Sequence, residues 1–320
     1  MTPITNNPIL FYEPWGLGDA IIAATVAIHA GKTQKVLLAC NSKWHLLLKE
    51  TFKDELVPLI SVDSNYTSRN SPTTVDLDLK TLRALDPSVI LSARGDPRDY
   101  REIRRIWPGI KVKMNGKLPF LARQIKIIDL FYSMDLTSVK NRYQSWATVS
   151  NVNYQLLEER FFTLSKLASS KKKIAIHIGA QWKSRQYPFV SDLRKLLSEC
   201  GFEITLIAGP HDGLPIGIHE IDVVRCINKD LVQKFQDANL IIVNDSSPLH
   251  LASALGRQTL CAARVSNIAE WRPPGCTSIC SPIMPKGHWV DKKVYCSDDI
   301  LDGWPSADLV CQEAGRILQK

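Results

Sequence analysis

The sequence predicts an α/β protein made of two doubly wound, Rossmann-like halves, and three observations carry that prediction. Short apolar runs alternate with helical stretches, β–α–β–α near the N-terminus and β–α–β–α–β from residue 174 onward. That alternation favours parallel sheets. Runs such as IAIHI (174–178) and LIIV (240–243) are apolar without alternation, as strands covered on both faces are. The length of 320 residues exceeds one core of ordinary size, so the chain divides. The expected domains are residues 1–165 and 166–320, the second closed by a C-terminal helix.

In the first half, Ile9 to Tyr12 is a strand. The turn Trp15-Gly16-Leu17-Gly18 follows, with Asp19 as candidate N-cap of an apolar helix that stops at Gly31. Lys35 to Cys40 is the second strand and Ser42 to Phe52 the second helix. The glycine turn lacks the full G-x-G-x-x-G spacing and its ribose-binding acid, which argues against a nicotinamide site. Residues 55 to 90 carry short strands and turns with little periodicity. Arg94 to Lys117 holds eight basic residues: Arg94, Arg98, Arg101, Arg104, Arg105, Lys111, Lys113 and Lys117. Arg98, Arg101 and Arg105 share one helical face. That face is either simply solvated or a groove for phosphate, whose geometry guanidinium forks match. Phe120 to Phe131 continues the domain, residues 140 to 172 form a helical linker, and Lys171 to Lys173 mark a solvated junction.

The second half opens with the strand 174–178. A basic turn, GAQWKSRQYP, leads into an amphipathic helix ending at Gly201. Glu203 to Ala208 is a strand, followed by the turn GPHDG, a short strand at Ile221 to Val224 and a helix from Lys229 to Ala238. The strand Leu240 to Val243 then runs through NDSSP into a helix stopped by Gly256. Asp245 or Ser246 can cap this helix, and Pro248 suits its first turn. A helix that starts at the carboxyl end of a buried strand aims N–H groups and its positive dipole end into a crevice, which is an anion site. His250 lies close to that end. A further strand is expected near Thr259 to Ala262.

Composition narrows the function classes. A hydrophobic share of 45% with 22% charged residues is that of a globular protein. No window approaches the roughly 18 to 20 apolar residues that span a bilayer, and MTPITNNPILFYEPW lacks a secretory pattern, so the expected location is the cytoplasm. The formal net charge of +8 suits a phosphorylated substrate or an anionic membrane surface. No nucleic-acid module is present, and no nucleic-acid partner is expected. Eight cysteines in such a chain point to reduced thiols or a metal. Cys276, Cys280, Cys296 and Cys311 are spaced C-x3-C-x15-C-x14-C, looser than a paired zinc motif. They are either a structural metal site or buried thiols.

Four stretches resemble glycosyltransferase family 9, the heptosyltransferases. Asp245-Ser246-Ser247-Pro248-Leu249-His250 to Gly256 is similar to the family's D-[ST]-G-x-x-H-x-A-x-A-L-G, with Ser247 in place of the glycine. Gly18-Asp19-Ala20 resembles the L-G-D turn that opens the family, and Gly179-Ala180 to Tyr187-Pro188 resembles P-G-A-x4-K-R-W-P, with Lys183 and Arg185 as candidate basic residues. Trp271 to Gly275 resembles W-x-P-x-G. The resemblance implies a GT-B fold: two facing Rossmann-like domains with the active site in the cleft between them. It implies an inverting transferase with Asp19 as general base and Gly18 beside the acceptor. Gly179, Lys183, Arg185, Asp245, Ser246, Ser247, Leu249 and His250 would hold a nucleotide diphospho-sugar, ADP-heptose by analogy, on the C-terminal side. A lipopolysaccharide-core or related phosphorylated glycan would lie on the N-terminal side with Arg98, Arg101 and Arg105. No cofactor is required for the chemistry, since no D-x-D motif is present, and the protein would act peripherally at the inner membrane. The family normally has a basic residue where Glu13 stands. Some relatives bind a structural metal at C-terminal cysteines. A protein-directed heptosyltransferase, a nucleotide-sugar 2-epimerase and a catalytically inactive binding protein are the other readings.

Overall fold

The computed structural model describes residues 7–62, 79–94, 97–114, 141–165, 173–180, 185–264, 268–280 and 304–319. The chain divides into two units, Met1–Phe131 with Lys140–Leu157, and Tyr132–Val139 with Glu158–Lys320.

Unit 1 is built on a parallel sheet of β1 (Ile9–Glu13), β2 (Val36–Cys40), β3 (Leu59–Ser61), β4 (Val89–Ser92) and β5 (Val112–Met114), in the order β3-β2-β1-β4-β5. Central β1 is buried from Leu10 onward because both of its neighbours and both sheet faces are covered. Its helices are α1 (Leu17–Gly31), α2 (His45–Phe52), α3 (Leu79–Ala84), α4 (Pro97–Ile106) and α5 (Arg142–Ser150). The strand order reverses between β1 and β4, the place where a doubly wound sheet opens a crevice beyond its carboxyl ends.

Helix α5 corrects the expectation of a linker starting at residue 140. Trp146 is 2% exposed and stacks on Phe11 of β1, ring centroids 5.1 Å apart and 14° from parallel. The helix looks polar in sequence because Ser145 and Ser150 are among its six buried residues, Ser150 donating to the Trp146 carbonyl. Trp146→Ala is expected to cost unit 1 about 3–5 kcal/mol, measured by urea unfolding of the full chain. A loss below about 1 kcal/mol would mean that α5 is only appended.

Unit 2 carries β6 (Lys173–His177), β7 (Glu203–Ala208), β8 (Val223–Arg225), β9 (Leu240–Asn244), β10 (Gln258–Ala263) and β11 (Thr277–Cys280), all parallel, in the order β11-β10-β9-β6-β7-β8. Counted within the unit this is the 3-2-1-4-5-6 order of a dinucleotide-type fold, with its switch point between β6 and β9. Helix α6 (Tyr154–Ser165) leads in, and α7 (Val190–Glu199), α8 (Asn228–Gln236), α9 (Ser247–Ala254), α10 (Ile268–Trp271) and the closing α11 (Ala307–Leu318) follow. Ile174, Ile176, Leu193, Leu197, Leu206, Leu240, Ile242 and Val310 form one core between the sheet, α7 and α11. Among the described residues no helix is long and apolar enough to cross a membrane.

Candidate active site

Unit 1 gathers charge at its switch point. β1 ends on Glu13, and the turn through Trp15 and Gly16 starts α1. Gly16, not Asp19, occupies the N-cap position, which places Asp19 in the first helical turn where a carboxylate meets the positive end of the dipole. Sequence spacing cannot separate a cap from a first-turn acid when neither binds the backbone. Arg94, just past β4, reaches Asp19 with Nη1 3.0 Å from Oδ2. The guanidinium of Arg94 also lies 4.2 Å from the Trp15 ring centroid, and that of Arg98 lies 4.3 Å from the same ring. Trp15 is fixed by its Nε1, which donates to both carboxylate oxygens of Asp99 at 2.9 and 3.2 Å, and Ser92 Oγ donates to Asp99 Oδ2 at 3.2 Å. Asp99 is fully buried.

Of the three arginines expected to share a site, α4 brings only Arg98 to this cluster. Arg105 is bound to Glu102 one turn back, and Arg101 is exposed. Helical periodicity places the three on one face, but only the N-terminal end of α4 lies at the carboxyl edge of the sheet. Gly18 lies in the first turn of α1 beside Asp19. Trp15 and Asp99 belong to the cluster and escaped the sequence reading, which singled out Glu13 only as a departure from the family pattern and Arg94 only as one of eight basic residues. The one signal available was the polar end of an apolar strand.

Unit 2 builds a second polar end at the carboxyl tips of β6 and β9. Asn244, the last residue of β9, accepts from the Tyr187 N–H at 3.1 Å and donates through Nδ2 to the carbonyls of Ile178 and Gly179 at 3.3 and 3.2 Å. It thereby ties the loop after β6 to β9. Arg185 Nη1 donates to the Asp245 carbonyl at 3.3 Å and lies 3.6 Å from Asp245 Oδ2. Ser246 is the N-cap of α9, but its hydroxyl donates back to the Asn244 carbonyl. Pro248 has no N–H, and the Leu249 N–H donates to the Ser246 carbonyl at 3.0 Å, so Leu249 contributes no free donor. The N–H groups of Ser246 and Ser247 are the ones the helix end presents. His250 is buried one residue further along α9. A Cβ at Gly179 would lie 1.7 Å from Asp212 Oδ2, so a larger residue there would have to displace the Asp212 carboxyl. Asp212 in turn is held by the Gly209 N–H at 2.7 Å. Buried His177 at the end of β6 has its pKa lowered by burial, partly opposed by Asp212. Lys183 lies outside the described residues.

Asn244 is the structural pin of this site. Asn244→Ala leaves the Tyr187 N–H and two carbonyls unsatisfied in a buried place and is expected to cost about 2–3 kcal/mol, read by urea unfolding. A neutral result would mean that water replaces all three bonds.

Residues 126–282 match the family described as Glycosyltransferase family 9 (heptosyltransferase). That match, just under half of the chain, supports a family 9, heptosyltransferase-like glycosyltransferase. No curated protein matches its sequence. Solved structures do match in fold. A family 9 glycosyltransferase from Veillonella parvula DSM 2008 is 13% identical, with a TM-score of 0.65 over 99% of this chain and 98% of that one. The E. coli heptosyltransferase WaaC with ADP is 14% identical, with a TM-score of 0.62 over 98% of each chain. E. coli ADP-heptose lps heptosyltransferase II is 14% identical, with a TM-score of 0.60 over 98% of each. The fold of this family 9 transferase is therefore GT-B.

Of the four cysteines named for a metal, Cys276 and Cys311 have described side chains. The Cys276 thiol is buried, lies 3.5 Å from the Thr259 carbonyl as a donor, and is pushed up to about 12 by burial. Cys311 is raised to about 11 by burial and by its hydrogen bond with Cys200. Cys296 and the Cys280 side chain lie outside the described residues, among which no three His, Cys, Asp or Glu are grouped so as to hold a metal ion.

Proposed function

We propose that this transferase moves a sugar, with inversion, from a nucleotide diphospho-sugar of the ADP-heptose type onto a hydroxyl of a phosphorylated glycolipid or glycan such as a lipopolysaccharide core. The observation that carries the reading is a complementary pair of switch-point ends. Unit 1 presents the carboxylate of Asp19 fixed by Arg94. Unit 2 presents the N–H groups of Ser246 and Ser247 beside the guanidinium of Arg185. The names of two similar structures, one with ADP and one an ADP-heptose lps heptosyltransferase, support the donor class.

In this reading Asp19 takes the proton of the acceptor hydroxyl as its oxygen bonds to the anomeric carbon. The bond from that carbon to the diphosphate oxygen breaks, and the electron pair leaves with the diphosphate. Arg185 and the α9 N-terminus stabilise the departing charge. His250 supports the same helix end, and Gly179 leaves room for the Asp212 carboxyl beside the β6 loop. Residues 1–165 would serve the acceptor, with Arg98 nearest the base, and residues 166–320 the donor. The net charge of +8 supports a peripheral seat on an anionic membrane.

The test is incubation of the full chain with ADP-heptose and lipopolysaccharide-core acceptor, with product followed by mass spectrometry and its anomeric configuration by NMR. One added heptose of inverted configuration is expected. Release of free sugar without an acceptor product would oppose the transfer reading.

A further inference from the structure

Asp99 is a carboxyl residue with 0% exposure, and burying such a group is costly unless its oxygens are used. Both are: Trp15 Nε1 donates to Oδ1 at 2.9 Å and to Oδ2 at 3.2 Å, and Ser92 Oγ donates to Oδ2 at 3.2 Å. The main chain of Trp15 is pinned as well. Its carbonyl accepts from the Nε1 of Trp44, just before α2, at 3.2 Å. The half-buried indole is thus fixed at both ends. Two guanidinium groups lie on it, that of Arg94 4.2 Å and that of Arg98 4.3 Å from the ring centroid. Two cations on one ring repel each other, and Asp19, 3.0 Å from Arg94 Nη1, and Asp99 at the indole edge set negative charge around them. A carboxyl group accepting from the indole N–H also polarises the ring toward its faces, which makes it a better seat for a cation. The Asp19 Oδ2 that meets Arg94 lies 3.5 Å from the place a Cβ on Gly16 would take, so this carboxylate sits over the residue that follows Trp15.

We propose that Trp15 is a positioning residue: its indole, locked by Asp99, is the platform that holds the Arg94 guanidinium against Asp19 and the Arg98 guanidinium beside it. The part this plays in transfer rests on the reading of Asp19 as the base. An arginine side chain has many rotamers, and ordering it costs free energy. Arg94 stands just past β4 and Arg98 in the first turn of α4, so both reach the site from the ends of their elements. Stacking on a fixed ring removes that freedom before a substrate arrives. An Arg94 that left the ring would leave Asp19 without its ion pair in a share of the molecules, and turnover would fall with the share that is correctly arranged. Trp15 acts on the base through Arg94 and does not itself touch the reacting atoms.

Nuclear Overhauser contacts in the ligand-free full chain test the placement. Contacts from the Trp15 indole protons to side-chain protons of both Arg94 and Arg98 are expected, and their absence from wild type overturns the platform. Transfer kinetics test the role. Trp15→Leu, apolar but without a ring or an N–H, is expected to lower kcat by about 10–50-fold while KM for ADP-heptose stays within about twofold. Trp15→Phe returns the ring face alone and should recover roughly half or more of that loss on a logarithmic scale. A Trp15→Leu chain at wild-type kcat overturns the positioning role. So does a Trp15→Phe chain no faster than Trp15→Leu, which would make the indole only an anchor for Asp99. Should neither variant fold, the wild-type Overhauser contacts decide. A wild-type chain that makes no product removes the transferase reading instead, and the contacts, read without substrate, still decide the platform.

Discussion

Asp19→Asn is expected to lower transfer by about 10²–10⁴-fold while leaving ADP affinity within about twofold. The asparagine keeps the shape and the place in the first turn of α1 but cannot take up a proton. Arg94 loses its ion-pair partner, and the amide oxygen still accepts a hydrogen bond from it, so geometry changes little. The two effects separate because the proposed donor contacts, Arg185, Ser246 and Ser247, belong to unit 2 and Asp19 belongs to unit 1. Rates of product formation with saturating ADP-heptose, alongside calorimetric titration with ADP, check both halves. A variant that transfers at the wild-type rate would remove Asp19 from the role of base.

The second large effect concerns the donor. Arg185→Ala is expected to weaken ADP binding by about 10–100-fold, the worth of a charge-assisted contact to phosphate. Two losses add in the same direction. The guanidinium no longer meets the diphosphate, and Asp245, 6% exposed, is left facing the anion without the cation that lies 3.6 Å from it. Arg185→Lys restores part of the affinity but not the fork. Calorimetric titration of the three chains with ADP measures the ratio directly. Equal affinity in all three would move the phosphate away from the β6 loop.

What could be read from sequence follows from what burial does to a strand. β6, β7 and β9 are parallel strands covered on both faces, so their apolar runs announce them within a residue or two. Gly31, Gly201 and Gly256 mark their helix ends correctly, the last two with left-handed backbone. The residues of the proposed donor end could be named from sequence because they lie in two short segments, each beside a strand. The cluster around Asp19 was not. Arg94 is 75 positions from Asp19 and Asp99 is 84 from Trp15, and they meet only because the strand order reverses at β1 and β4. Likewise, the role of Asn244 depends on β9 lying beside β6, which local periodicity does not encode.

Calorimetric titration of the full chain with ADP, GDP, UDP and CMP tests the central claim most directly, because it asks whether unit 2 receives a nucleoside diphosphate. The account predicts saturable binding selective for ADP, weakened in Arg185→Ala and retained in Asp19→Asn. Binding of none of the four nucleotides would contradict it.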